Sequence, residues 1–438
     1  MNILGLRKEE KPFETRVPVV PAHVAKLVSE QKLDFLVEPS DQRAFGPDEY
    51  LVAHAKIEEL HGSEASVILG VKEMPIDFFE SDKVYIFFSH TIKGQDYNMS
   101  MLQKIIDTKS SLLDYECVVD DSGRRLIYFG NWAGFAGMSD TLRVLGERLD
   151  YEGIKPNPFK GIKTTLDCRT LDCLRDEFLL LGERIESMGL PETLRPLVVG
   201  FAGYGNVSKG AQELFDILPH IQIDPEDLPD LKSTGKNVLY KCVFREEHMV
   251  EPIDKTAEFK LSDYYQFGSE KYQGVFQNYI PYLTVLMNCI YWSEKYPRLI
   301  TKDYIRNHWK DASRQLRVVG DISCDVEGAI EFTVMTTKPD KPAFTFLIEE
   351  NRGKLGISGT GPVVMAVDNL PCELPRESST SFSESLLRFL PTLAKTDFKT
   401  DSFETLDLCR ELKNAIIVYR GELTPQYKYL EEYLNEAN

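Results

Sequence analysis

The segment 197–218, LVVGFAGYGNVSKGAQELFDIL, constrains the fold more than any other stretch of the chain. A short apolar strand runs into a glycine turn and then into a pattern with apolar residues three and four apart. Strand, glycine turn and amphipathic helix, in that order, are what a dinucleotide fingerprint requires. Gly203 and Gly205 supply the first two glycines. Their missing side chains allow a tight turn and let backbone N–H groups at a helix start, at Asn206 and Val207, approach a pyrophosphate. The third glycine position holds Ser208, with Gly210 two residues on, so the pattern departs from GxGxxG. IQID ends at Asp224, nineteen residues past Gly205, where a second strand is expected to bring an acid to the adenosine ribose hydroxyls. A phosphate loop of the form GxxxxGK[ST] occurs nowhere, which disfavours nucleotide hydrolysis.

Around this segment the chain keeps the same rhythm. The first 130 or so residues alternate apolar runs with amphipathic stretches (NILGLR, PAHVAKLVSE, DFLVEP, SVILGVK, KVYIFFS), the pattern of βα units on a largely parallel sheet. Helical patterns follow at GFAGMSDTLRVLGERL and LDCLRDEFLLLGERIESMG, and further strands at VLMNCIYW, LRVVGDISCD and GPVVMAVDN. The polar, proline-bearing DPEDLPDLKSTGK is expected as a surface loop. Late in the chain, SFSESLLRFLPTLA and SFETLDLCRELKNAI read as helices started by serine caps.

Composition narrows the partners. The 51 basic and 69 acidic residues give a formal charge of −18 with no basic tract, which disfavours nucleic acid and anionic membrane surfaces. The amino terminus turns charged after six residues and no run reaches the length of a membrane span, so a cytoplasmic chain is expected. Of the eight cysteines the closest pair, Cys168 and Cys173, has four residues between them, unlike zinc or redox pairs, and reduced thiols are expected. The histidines form no metal-binding pattern, so no metal is expected.

Chemistry enters at the strand ends, where open α/β sheets place it. Arg16 follows a strand within ETRVPVVP, Lys72 and Glu73 end SVILGVKEMP, His90 ends VYIFFSHTIKG, Glu116 ends LLDYE and Arg125 opens RRLIYFG. Singly, each reads more readily as a solvated or packed side chain. As a set, two arginines can fork onto carboxylates while a lysine, a histidine and two acids shift one another's pKa values toward neutrality.

The ordered run of ETRVPVVP, LGVKEMP, FFSHTIKGQDYNM, LLDYE, GRRLIYFG, WAGFAGM, GYGNVSKGAQ, NCIYW, GDISCD and DNLPCELPRES resembles the family of saccharopine dehydrogenase (lysine-forming) and lysine-oxoglutarate reductase. It is similar, more distantly, to alanine dehydrogenase. The resemblance implies two Rossmann-like α/β domains with parallel sheets: 1–138 with 366–438 as the substrate domain and 139–365 as the dinucleotide-binding domain, with the active site in a cleft between them. It implies that Lys72 and His90 are an acid–base pair tuned by Glu73 and Glu116, and that Arg16 and Arg125 hold substrate carboxylates. It also implies that Gly203, Gly205, Asn206, Val207, Asp224, Asn288, Cys289 and Asp368 lie at the cofactor. The implied reaction interconverts saccharopine with lysine and 2-oxoglutarate through an imine, using NAD or NADP. Asp224 favours NAD, and Arg245 is the residue that speaks for NADP. The segment NPFKGIKTTLDCRTLDC departs from the family's pattern and leaves the amino substrate open. The chain stops before a glutamate-forming half, so a second step is expected of another polypeptide. An alanine dehydrogenase-like deaminase and a non-catalytic amino-acid or dinucleotide-binding regulator are the alternatives.

Overall fold

A computed structural model describes residues 1–232, 234–311 and 314–436. In chain order its strands are β1 (Leu4–Leu6), β2 (Phe35–Val37), β3 (Lys56–Ile57), β4 (Val67–Leu69), β5 (Val84–Phe87) and β6 (Ser111–Asp114), then β7 (Val198–Ala202), β8 (His220–Ile223) and β9 (Leu239–Phe244). There follow β10 (Val250–Pro252), β11 (Tyr272–Gly274), β12 (Val285–Asn288), β13 (Val318–Asp321), β14 (Ala343–Leu347), β15 (Arg352–Leu355), β16 (Val363–Met365), β17 (Ile416–Tyr419) and β18 (Glu422–Leu423).

The chain divides into two units, Met1–Phe129 with the chain from Pro375 onward, and Gly130–Leu374. These divisions differ from the expected 138 and 366 for a simple reason. The helix Gly130–Tyr151 is continuous, and the turn Leu370–Glu373 packs on it, so both belong wholly to the second unit. In the first unit the sheet order is β18-β17-β6-β5-β4-β1-β2-β3, parallel from β3 to β6, with β17 and β18 added antiparallel by the returning chain. Its interior strands are apolar on both faces, with Leu4, Leu6 and Leu69 on one side and Ile68, Tyr85 and Leu112 on the other, as a sheet covered on both faces demands.

The second unit has the order β15-β14-β16-β13-β12-β7-β9-β8, with β10 and β11 a separate ribbon. Its order corrects one expectation. The strand that follows the glycine-turn helix, β8, is the outer strand, and β9 lies between it and β7. The residues explain this. HIQI is half-exposed and alternates with polar side chains, whereas LYKCVF is buried almost throughout, and the more apolar strand takes the interior position.

Local differences also follow from packing. The helix expected to start at a serine cap near Ser381 begins at Pro375, and the last expected helix contracts to Arg410–Asn414. The segment after Asp224 forms a 3-10 turn, Pro225–Asp230, that buries Pro225 and Leu228. Cys168 and Cys173, expected reduced, form a disulfide: the tight turn between helices Thr165–Cys168 and Leu171–Met188 brings their Cα atoms to 5.3 Å. Among the described residues no helix is long and apolar enough to cross a membrane.

Asp140 on the helix Gly130–Tyr151 and Glu373 at the end of the Leu370–Glu373 turn are each only 1% exposed and face one another. Asp140 also accepts a hydrogen bond from Thr165 at 2.9 Å. Two carboxyls so placed must share a proton: burial raises both, the charge of Asp140 raises Glu373 further, and at Asp140 burial outweighs Arg143 and the hydrogen bonds from Thr165 and Glu373. The folded chain therefore binds a proton that the unfolded chain releases above its own carboxylate pKa, and stability from this pair falls as pH rises. Asp140→Asn removes the conflict. Its melting temperature, measured against the parent protein from pH 4 to 8, is expected to gain on the parent as pH rises, by roughly 2–4 °C for each 1 kcal/mol.

Candidate functional site

In the first unit four strands deliver charged side chains to one end of the sheet. The chain leaving β1 carries Glu9, Lys11, Glu14 and Arg16, that leaving β4 carries Lys72 and Glu73, that leaving β5 carries His90, and that leaving β6 carries Glu116. The order changes direction between β1 and β4, the kind of switch point at which open α/β sheets bind ligands. His90 sits in the left-handed region at φ +48°. Asn98 holds that bend, its Nδ2 donating to the carbonyls of Ser89 at 3.0 Å and His90 at 3.2 Å.

Glu73 binds His90 through Nδ1 at 2.6 Å and pairs on its other oxygen with Lys11. Burial opposes its ionisation, but these two bonds prevail and keep the Glu73 carboxyl well below the usual range. An ionised carboxylate only accepts, so the Nδ1 of His90 is the donor in this bond, and Nε2 is the ring nitrogen that Glu73 does not engage. Lys72 is lowered by burial and then by Arg16, against the pull of Glu14 and Glu73, which favours the neutral amine a proton acceptor needs. Arg16 is buried, gives Nε and Nη2 to Glu14 at 2.7 and 2.5 Å, and lies 4.1 Å above the Phe129 ring.

Arg16, Lys72, Glu73 and His90 thus come together as a cluster. Glu116 differs from expectation in its contact: its carboxylate pairs with Arg125, which is 49% exposed. Sequence reasoning missed Glu9, Lys11 and Glu14, whose run KEEKPFE reads as a solvated charged turn.

In the second unit the turn after β7 closes through the Gly203 N–H, which donates to the Phe244 carbonyl at 2.9 Å. Gly203 has φ +94°, which requires glycine, whereas Gly205 has ordinary φ and a side chain there would meet no protein atom within 4 Å. The open space over Gly205 at a helix N-terminus is suited to a pyrophosphate. Packing explains the departure at Ser208. A Cβ on Gly210 would lie 2.2 Å from the Asn131 carbonyl, and one on Gly134 would lie 2.0 Å from that of Val207. Gly210 and Gly134 therefore supply the close helix packing that the third fingerprint glycine normally allows, while buried Ser208 accepts from Gln212 at 2.8 Å.

A cavity of about 250 Å³ adjoins the turn, lined by Gly203, Tyr204, Gly205, Glu246, Tyr265 and Tyr291 among others. Arg245, the residue after β9, lies 5.2 Å over the Tyr204 ring, and Glu246 accepts from Tyr265 at 2.6 Å. Asp224 follows β8, one strand farther from the turn. Cys289 lines the cavity, whereas Asn288 is buried and donates to Asp321 at 2.8 Å. Asp368 pairs with Lys338 at 2.7 Å. Asp321, missed in sequence, is raised to about 6 by burial against hydrogen bonds from Thr333 and Asn288.

Comparison with known proteins gives matches to "Alanine dehydrogenase/PNT, N-terminal domain" over residues 5–136 and "Alanine dehydrogenase/PNT, C-terminal domain" over 276–426, together more than half of the chain. The chain belongs to the alanine dehydrogenase/PNT family. The glycine turn lies outside both matched segments, so its reading rests on the geometry above. Curated relatives include the alpha-aminoadipic semialdehyde synthase of Arabidopsis thaliana, 36% identical over 98% of this chain and 41% of that protein. The mitochondrial enzyme of the same name from Rattus norvegicus is 32% identical over 98% of this chain and 48% of its own. The chain therefore spans less than half the length of these relatives. Saccharopine dehydrogenase [NAD(+), L-lysine-forming] of Emericella nidulans is 29% identical over 88% of this chain and 90% of that protein. Among solved structures, an L-alanine dehydrogenase aligns over 99% of both chains with a TM-score of 0.60 at 17% identity, which establishes the fold.

The two kinds of glycine separate cleanly by experiment. Gly205→Ala is expected to leave the melting temperature within about a degree while weakening dinucleotide binding. Gly210→Ala must push helices apart and should destabilise by roughly 1–3 kcal/mol. Calorimetry and dinucleotide titration on the same pair of variants check both.

Proposed function

We propose that this family member is a cytoplasmic, NAD(P)-dependent oxidoreductase interconverting saccharopine with L-lysine and 2-oxoglutarate. The observation that carries the reading is the cluster of Lys72, lowered by burial, and His90, held on its Nδ1 by ionised Glu73. Relatives named for saccharopine and for aminoadipic semialdehyde support the choice of substrate.

In the synthetic direction the substrate amine attacks the keto carbon, Lys72, whose charge burial disfavours, takes the proton released from nitrogen, and His90, in its imidazolium form paired with Glu73, gives its Nε2 proton to the alkoxide oxygen. The Lys72 ammonium then returns its proton to the carbinolamine hydroxyl, which leaves as water and creates the imine, protonated on nitrogen. Arg125, with much of its side chain exposed, and Arg16, which is held in the cluster beside Lys72, are the groups for substrate carboxylates. When bound, the dinucleotide supplies or accepts the hydride at the carbon–nitrogen bond. This chain's part in holding it falls to the Gly203–Gly205 turn, the N–H groups of Asn206 and Val207, and the cavity beside them.

The choice between NAD and NADP rests on Arg245 in this reading. It follows the strand next to β7, the place from which a side chain reaches the adenosine ribose, and Asp224 stands one strand away.

Lysine with 2-oxoglutarate is expected to oxidise the reduced cofactor well above pyruvate with ammonia in a screen followed by nicotinamide absorbance. The opposite order would reject the substrate assignment. His90→Ala and Lys72→Met are expected to lower turnover by roughly a hundredfold or more, the scale of a lost acid or base, with dinucleotide affinity retained. Arg245→Ala should lose NADP use selectively, and Asp224→Ser should leave the ratio of kcat/KM for the two cofactors unchanged. A shifted ratio in Asp224→Ser alone would return the role to the acid.

A further inference from the structure

We propose that Glu9 is a positioning residue for Lys72: its carboxylate captures the two backbone amides at the end of β4 and so fixes the direction in which the lysine leaves the sheet. The proposal rests on the reading of Lys72 as an acid–base group.

The backbone ladder explains why a side chain is needed there. β1 pairs with β4 through Leu6 and Leu69, and the last bond between the two runs from the Arg7 N–H to the Leu69 carbonyl at 2.8 Å. Beyond it the chain bends at Val71 and Lys72. On the other side, β5 still receives the Val71 carbonyl, through the Phe88 N–H at 3.1 Å. The amides of Val71 and Lys72 instead converge on Glu9, donating to Oε1 at 2.6 Å and to Oε2 at 3.0 Å. Successive N–H groups aimed at one anion form a concave anion-binding turn. Here the anion is part of the same fold, and the turn carries the candidate acid–base residue.

The carboxylate also sits in an unusual electrostatic position. Burial and the neighbouring Glu14 push Glu9 up to about 7, against the two amides and Arg16. The other titratable groups that feel it are Arg43 and Tyr115. As pH falls through that value Glu9 gains a proton and one oxygen stops accepting, so the hold on Lys72 loosens at the acid side of the working range. Neither the catalytic steps above nor the cofactor turn uses Glu9, so its geometry has no other assigned purpose.

Glu9→Gln keeps the size but offers one accepting oxygen and an amide that opposes the second N–H. It is expected to lower kcat roughly ten- to hundredfold, as small misplacements of a reacting group do, with the KM for dinucleotide unchanged and the acid limb of the pH profile displaced. Glu9→Asp, which keeps the charge one methylene short, should fall between the two and serves if the glutamine variant does not fold. A second readout is independent of the substrate. Reductive methylation with ¹³C-formaldehyde, the Lys72 signal being assigned with Lys72→Arg, should give a different Lys72 titration in the Glu9 variants than in the parent. An unchanged pH profile together with an unchanged Lys72 titration overturns the proposal. If the parent protein turns over no lysine and 2-oxoglutarate, the substrate reading falls while the Lys72 signal still decides the role of Glu9.

Discussion

Asp114 is buried at the end of β6, and its carboxylate receives three hydrogen bonds: Oδ2 from the Ser89 N–H at 2.9 Å and the Ser89 hydroxyl at 2.5 Å, and Oδ1 from the Glu116 N–H at 2.7 Å. Burial raises its pKa and the bonds from Ser89 and Glu116 resist that rise. The carboxylate therefore ties the end of β5 to the turn after β6. His90 follows Ser89 immediately and holds a left-handed backbone, a conformation that costs about 1–3 kcal/mol and persists only where its surroundings over-determine it. Bonds to a buried charged group are worth roughly 1.5–3 kcal/mol each, enough to hold that strain. Asp114 thus fixes Ser89 while Asn98 holds the carbonyls of Ser89 and His90, and the two together place the histidine beside Glu73.

The second unit depends on a different constraint, the close approach of two helices. The helix Gly130–Tyr151 meets the helix Asn206–Phe215 so closely that the backbone of each touches a glycine of the other. That contact sets the position of the second helix, and with it the N-terminus that faces the space over Gly205. An incomplete fingerprint is thus compatible with a complete site, because the function of the third glycine is a packing distance and another glycine can satisfy it.

Both units place charge where desolvation makes it expensive and then pair it. Glu14 with Arg16, and Glu73 with His90 and Lys11, are paired charges, whereas burial disfavours the charge of Lys72 and that of Glu9, an effect that two amides oppose at Glu9. Breaking one partner of such a set strands the other, which is why the cluster has to be understood as a unit. The shared proton of Asp140 and Glu373 follows the same rule with two acids.

The sequence by itself determined the fold class, the glycine turn with its flanking strand and helix, and the strand ends that carry Lys72, Glu73 and His90, because the periods of strand and helix and the need for glycine at φ +94° are local properties. It did not reveal that β9 rather than β8 lies beside β7, since the order of strands is set by which segment is apolar enough for the interior, a comparison between elements rather than a property of either. Nor did KEEKPFE declare that Glu9 and Glu14 join the charged cluster around Lys72 and Arg16: Glu9 finds its amides 62 and 63 residues along the chain. Only the tertiary structure decided those pairings, because a buried charge is assigned its partner by the folded geometry that removes water from both.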